Sequence, residues 1–241
     1  MNKQRKAYLR GLIMALALVA GLILPTSAPQ AQSGNTPGVL PPIARPYGLT
    51  YGQWSAKWWQ WAISIPASTN PLLDSTGANC AEGQSGPVWF LAGTTGGPAT
   101  RNCAIPHGKA IFFPIGNIIF GSGVYDCDPT NPGVPCDVEA LRASAASIMN
   151  TPILLEAEVD GRPIQNLISY RAFSPVFSIT CPDDSIFGVP AGTYTPQISD
   201  GYWIMLAPLS TGAHTVHFKG AFDFFGFPFE TEVTYNLTVG N

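Results

Sequence analysis

Polar and apolar positions alternate most clearly through residues 230–239. There Thr231, Val233, Tyr235, Leu237 and Val239 oppose Glu230, Glu232, Thr234, Asn236 and Thr238. A period of two predicts a strand with one buried face. "AHTVHFKG" alternates in the same way, with Val216 and Phe218 inward and Thr215, His217 and Lys219 outward. In "ILLEAEV", Ile153, Leu155, Ala157 and Val159 face one way and Glu156 and Glu158 the other; Asp160-Gly161 then predicts a tight turn into "RPIQNLISY". Further strands are predicted in "RAFSPVFSIT", in "GTYTPQIS" and, after a turn at Asp200-Gly201, in "YWIML". Nearer the N-terminus, "PVWFLAG", the turn "TTGG" and "TRNCAIP" predict a hairpin, and "GKAIFFPI" a third apolar strand.

Two stretches follow the helical period instead. In "YGQWSAKWWQWAIS" (51–64), Tyr51, Trp54, Trp58, Trp61, Ala62 and Ile65 share one face, while Gln53, Lys57, Gln60 and Ser64 form a narrow polar stripe. Trp59 and Ile63, four apart, widen the apolar arc on the far side. Thr50 is the expected N-cap and Pro66 the stop. A helix apolar over most of its circumference is expected to be largely buried. Trp54, Trp58 and Trp61 would anchor it to a sheet, with Trp59 standing off that face. "DVEALRASAASIMN" (137–150) predicts a second helix capped by Asp137, with Ala140, Leu141, Ala145 and Ile148 along one side. Nine or ten short strands with two helices predict a mainly β fold, a two-sheet antiparallel sandwich of jelly-roll or immunoglobulin-like type.

The N-terminal stretch belongs to neither pattern. Lys3, Arg5, Lys6 and Arg10 precede the apolar run Gly11 to Leu24, and "PTSAPQAQS" follows it. Residues 1–31 therefore read as a signal peptide. Pro29 interferes with both Ala28 and Ala31 as cleavage positions, which leaves the cut open. An uncleaved anchor is the alternative, although the run is shorter than the roughly 20 residues of a spanning helix. Residues 32–48 are a proline-rich extended lead-in, and 49–241 are read as one sandwich domain.

Composition adds a compartment and removes some partners. The leader holds four of the twelve basic residues and none of the fifteen acidic ones, so the remainder carries a net −7 with neutral histidines. That balance argues against nucleic acid, and against a membrane surface after cleavage. Only 11% of residues are charged, and glycine and proline are abundant, as in an exported all-β chain with many turns. In an oxidising compartment, periplasmic or extracellular, Cys80 is expected to pair with Cys103 and Cys127 with Cys136, leaving Cys181 odd.

"YGQWSAKWWQWAISIP", "CAEGQSGPVWFLAG", "GKAIFFPIGN", "VDGRPIQNLISYR" and "SDGYWIMLAPLSTGAHTVHF" together resemble a family of exported bacterial proteins of uncharacterised function. The similarity spans nearly all of the chain after the leader. It implies one exported domain and supplies no activity, substrate or catalytic residue.

Catalytic patterns are thin. His214 and His217 lie three apart, which on a strand places them on opposite faces, so they are not expected to chelate together. "GQSGP" around Ser85 lacks the spaced glycine of a nucleophile elbow, and Ser55 and Lys57 do not face each other on a helix. "DCDPTN" (126–131) offers oxygen ligands without the calcium-loop register. No metal motif and no phosphate-cradling glycine loop is present, so no cofactor is expected. Glu156, Glu158 and Asp160, like Glu230 and Glu232, share one strand face, the pattern of a solvated surface rather than of a cleft.

Aromatic residues are the better candidates. "AFDFFGFPF" places Phe222, Phe224, Phe225, Phe227 and Phe229 around a Gly/Pro turn, and not all five can point inward. The expectation is a non-catalytic binding or surface-structural module that contacts a glycan, polymer or protein through Trp59, Trp203, Phe224, Phe225 and Phe227. The alternative is a secreted hydrolase of an extracellular polymer, with carboxylates from separate strands.

Overall fold

The computed structural model describes residues 38–124, 127 and 136–240. The leader and the "DCDPTN" loop (except Cys127) lie outside the described residues. Two five-stranded sheets face each other. Their strands are β1 (Val88–Phe90), β2 (Gly97–Pro106), β3 (Ala110–Gly121), β4 (Leu154–Val159), β5 (Arg162–Pro163), β6 (Arg171–Phe173), β7 (Phe177–Cys181), β8 (Gly192–Leu206), β9 (Gly212–Phe224) and β10 (Phe227–Gly240). The first sheet has the order β1-β3-β8-β6, with β7 also paired to β8; the second has the order β2-β10-β9-β4-β5. The mainly β sandwich follows the sequence patterns, and both sheets are mixed: β1 pairs β3, and β2 pairs β10, in parallel.

The two sheets differ in burial, and the sequence difference explains why. β9 and β10 alternate, so Val216, Phe218, Val233, Tyr235, Leu237 and Val239 fill the space between the sheets while their neighbours face outward. β3 and β8 carry near-continuous apolar runs, the signature of a strand buried on both faces. Their inward residues Ile111, Phe113, Ile204 and Leu206 meet the second sheet. Their other face, with Phe112, Trp203 and Met205, lies under helix α1 (Tyr51–Ser64). α1 starts from a complete capping box: the Gln53 N–H donates to Thr50 Oγ1, and the Thr50 N–H donates to Gln53 Oε1. Helix α2 (Val138–Met149), capped by Asp137, sends Leu141, Ala145, Ile148 and Met149 into the core between the sheets.

Two local expectations are corrected. "PVWFLAG" and "TRNCAIP" do not form a hairpin: β1 sits in the first sheet and β2 in the second. The first run is apolar at successive positions and is buried on both sides, whereas β2 alternates and is buried on one. Two runs so patterned belong to sheets with different surroundings, and the chain crosses between them. The return crossing makes β3 parallel to β1. Nor does the chain turn at Asp200-Gly201, because β8 runs straight through both residues. Asp200 is fully buried, and its carboxylate accepts from Arg171 Nε at 3.0 Å and Nη2 at 2.6 Å. Gly201 lets β3 come close, since a Cβ there would lie 2.7 Å from Asn117 Cβ and Gly116 O. A tertiary ion pair and a close strand approach thus override a local turn signal.

Both expected disulfides form, Cys80–Cys103 and Cys127–Cys136, and Cys181 is unpaired and buried in β7. Among the described residues no helix is long and apolar enough to cross a membrane.

Candidate functional site

The tryptophan helix forms a closed roof. Trp54 Nε1 donates to Pro46 O, Trp58 Nε1 to Leu91 O and Trp61 Nε1 to Glu82 O. The Trp58 ring meets Trp203 edge-on at 5.5 Å, and Trp203 stacks on Phe112 at 5.2 Å with the planes 2° apart. Trp203 is 0% exposed and presents no ring to solvent. Trp59 is not a free-standing ring either: it is 8% exposed, meets Trp58 edge-on and donates its indole N–H to Ser199 Oγ at 3.0 Å. The face expected to stand off is covered, because β8 and the residues after β7 pack beneath it.

The phenylalanine hairpin is divided. Phe225 and Phe227 are 60% and 73% exposed at its tip, where Phe225 takes a left-handed backbone (φ 53°) and the Gly226 N–H donates to Asp223 Oδ1. Phe224 is partly buried and, with Phe222 and Phe229, walls a cavity of about 240 Å³. Trp58 and Trp59 reach the same cavity from the roof, and Ile148 and Met149 from the end of α2. Of the five rings singled out from sequence, the structure brings Trp59 and Phe224 together here, sets Phe225 and Phe227 on the adjoining tip, and places Trp203 elsewhere.

The cavity exists because β3 is paired on one edge only along part of its length. β1 covers Ala110–Phe112, and the Leu91 N–H reaches Phe112 O; beyond Phe112, β8 alone pairs β3 among the described strands. A bulge between Pro114 and Gly116 interrupts the β3–β8 register. Gly116 has no side chain where Phe222 lies, and a Cβ there would sit 2.0 Å from the Phe222 ring. The Gly93–Thr95 loop closes the remaining side. Behind that loop Arg101, 1% exposed, donates from Nη1 to Ala92 O, Gly93 O and Tyr235 Oη, and from Nε to Asp74 O. This network fixes the loop without putting a charge into the cavity.

Among the described residues no titratable side chain lines this cavity, and its walls are mostly apolar. The polar wall residues are Asn117, Thr94, Thr95 and Thr231. Thr94 and Thr231 hold each other, Oγ1 to Oγ1 at 3.0 Å, and Thr231 Oγ1 also accepts from the Thr94 N–H. Sequence reasoning missed Asn117, although its signal was visible: "AIFFPIGNIIF" carries one amide in an otherwise apolar strand, and Asn is disfavoured in strands.

The carboxylates gather on the outer face of the second sheet. Lys219 Nζ lies 2.9 Å from Glu230 and 3.0 Å from Glu232, which also takes His217 Nε2 at 3.2 Å. Hydrogen bonds from Lys219 and His217 hold the Glu232 carboxyl below the usual range. Burial alone would raise the Asp160 carboxyl, but hydrogen bonds from His214 and the Thr215 N–H outweigh it and lower it. His214 and His217 thus serve different carboxylates. Glu156, Glu158 and His217 edge a recess of about 460 Å³ beside β5, yet both glutamates issue from one face of β4 and approach it from one side. Among the described residues no group of three or more His, Cys, Asp or Glu could hold a metal ion.

No family model matches the chain, and no curated protein and no solved structure is significantly similar to it.

Proposed function

We propose that the protein is an exported, non-catalytic binding module that takes an apolar ligand, or the apolar group of a polymer or protein, into the cavity beneath Trp59 and Phe224. The observation that carries this reading is an apolar cavity of about 240 Å³ with no titratable group on its wall among the described residues, and exposed Phe225 and Phe227 beside it. Ligand sites are concave and mostly apolar with few polar groups, and this one matches that description at a small scale. Sugars present hydroxyls at most positions and need many hydrogen bonds, so among glycan, polymer and protein partners the geometry favours an apolar moiety. Export is supported by the leader pattern, by two disulfides and by the resemblance to exported bacterial proteins. The hydrolase alternative finds its carboxylates on one open strand face, where general acid and base would reach a substrate from the same side.

Ligand-observed NMR on the folded protein, with toluene, n-hexane, glucose and cellobiose, tests the reading. The hydrocarbons are expected to bind with Kd on the order of 0.1–1 mM, the strength that burial of a few apolar atoms supports, and the sugars not at all. Gly93→Leu adds bulk at the wall, where a Cβ meets only Thr231 Oγ1 at 3.6 Å and Pro114 Cγ at 3.9 Å. It should keep the fold and weaken hydrocarbon binding. Binding of sugars without hydrocarbons, or turnover of a polymer, would overturn the proposal.

A further inference from the structure

Strand β4 has two unlike edges. β9 pairs with it along its whole length, from Leu154 to Val159. β5 pairs with Glu158 and Val159 alone, and the Ile164 N–H then donates to Ala157 O at 2.8 Å. Beyond that bond Asn166 takes a left-handed backbone (φ 57°), and the chain leaves the sheet for the 3-10 turn Leu167–Tyr170. Among the described residues no strand flanks Leu154–Glu156 on this side. Successive residues of a strand turn their N–H and C=O to opposite edges. Leu155, two before Ala157, therefore aims both groups at the vacant side. An open edge of this kind is a template for a further strand.

The surroundings of this edge are apolar on one side and acidic on the other. Leu155, Ile164 and Leu167 line a recess of about 380 Å³, with Ile153 and Ile168 exposed at its rim. Glu156 and Glu158 stand on the outer face. In register they lie opposite Lys219 and His217 of β9, but both of those side chains turn to β10: Lys219 to Glu230 and Glu232, His217 to Glu232. The charge of Arg162, on β5, acts on Asp160. Glu156 and Glu158 are thus left without a hydrogen bond or ion pair among the described residues.

We infer that the open edge of β4 receives an extended polypeptide segment of alternating apolar and basic residues, added as a further strand. The backbone of that segment bonds to Leu155, its apolar side chains cover Leu155, Ile164 and Ile153, and its lysines or arginines meet Glu156 and Glu158. Strand addition draws affinity from main-chain bonds and specificity from alternate side chains. Charge decides the occupant. A second copy pairing β4 to β4 would bring the glutamates of both chains onto one face, and like charges across strands are destabilising. The edge shares no lining residue with the cavity under Trp59, so the inference is independent of the ligand proposed there.

Binding of the blocked peptide acetyl-TVKVKVT-amide to the whole folded protein, followed by NMR at low salt, tests the inference. Its counterpart acetyl-TVEVEVT-amide is expected to bind about tenfold more weakly. In Glu156→Lys, a change at an exposed position, that preference should vanish. N-methylation separates strand addition from plain charge attraction, because the valine and lysine amides of an added strand face opposite edges. Methylating one set should abolish binding and methylating the other should leave it within about twofold. The blocking set is the valines for an antiparallel strand and the lysines for a parallel one. The Leu155 amide proton should exchange rapidly in the free protein and at least about tenfold more slowly with the lysine peptide bound. Slow exchange without peptide would mean that the rest of the chain or a second copy already covers the edge, and would overturn the inference. So would absence of binding, equal binding of the two peptides, an unchanged preference in Glu156→Lys, or equal loss from both methylated sets.

Discussion

The roof and the cavity are built from the same apolar vocabulary and end in opposite states. Under the roof, the indole N–H groups of Trp54, Trp58, Trp59 and Trp61 all find partners, and the rings of Trp58, Trp203 and Phe112 stack or meet edge-on. At the cavity, further along β3, paired edges give way among the described strands to an open one, and Asn117 Nδ2 has no partner. An excess of aromatic side chains therefore says little about function. Satisfied polar groups do not draw the line either, since Trp203 Nε1 under the roof is as unpartnered as Asn117 Nδ2. What separates the two regions is that α1 covers β3 and β8 at the roof, while the cavity lies along the part of β3 that β1 leaves uncovered.

Removal of Trp58 should break this comparison most severely. It is 1% exposed, touches Trp59, Trp61 and Trp203, and ties α1 to the Leu91 carbonyl just past β1. Trp58→Ala leaves a large void and an orphan carbonyl, and is expected to cost about 3–5 kcal/mol in urea unfolding. A loss below about 1 kcal/mol would mean that the roof is a dispensable cover rather than half of the core.

The roof was legible in the sequence and the cavity was not, for a physical reason. Helical period, Thr50, Asp137 and the alternation of β10 are local signals, and local signals located the helices, their caps and the sheet faces. The double burial of β3 and β8 is also written locally, as near-continuous apolar runs. The cavity depends on where β1 stops along β3, and on Phe222 meeting Gly116 from about a hundred residues away. No window of the chain contains that relation. Trp59 shows the same limit. Its angular position on the helix was read correctly, but β8 covers it through Ser199, 140 residues distant in sequence. The Asp200-Gly201 turn failed likewise, to an ion pair with Arg171 that no dipeptide rule contains.

A smaller change should sharpen the comparison from the cavity side. Gly116→Ala places a methyl 2.0 Å from Cε2 of the Phe222 ring, which must then shift away from β3. Overpacking of this kind costs about 1–3 kcal/mol. Because Phe222 is a wall of the cavity, Kd for the hydrocarbon probe should change together with the melting temperature. In contrast, Gly86→Ala meets nothing within 4 Å but has φ +69°, so it should cost stability with no effect on binding. Equal binding changes in both variants would show that Gly116 does not shape the site.

The smallest expected effect concerns the support behind the Gly93 loop. The Asp74 carboxylate accepts from the Thr76 N–H, the Thr76 hydroxyl and the Asn79 N–H, while the Asp74 carbonyl holds Arg101 Nε and Arg101 Nη1 holds Gly93 O. Burial alone would raise this carboxyl; hydrogen bonds from Asn79 and Thr76 outweigh it, so the folded pKa lies below the ordinary carboxylate value. The sign follows from linkage: the contribution is complete above the unfolded pKa of about 3.9 and is lost as pH falls through the folded one. The side chain is only partly buried and lies at the surface, so screening limits the contribution to under about 1 kcal/mol. Urea unfolding of Asp74→Asn should show lower stability than wild type at about pH 6, with the two converging at about pH 2.5. A wild-type acid limb identical in slope to that of the variant would remove Asp74 from the network that holds the cavity wall.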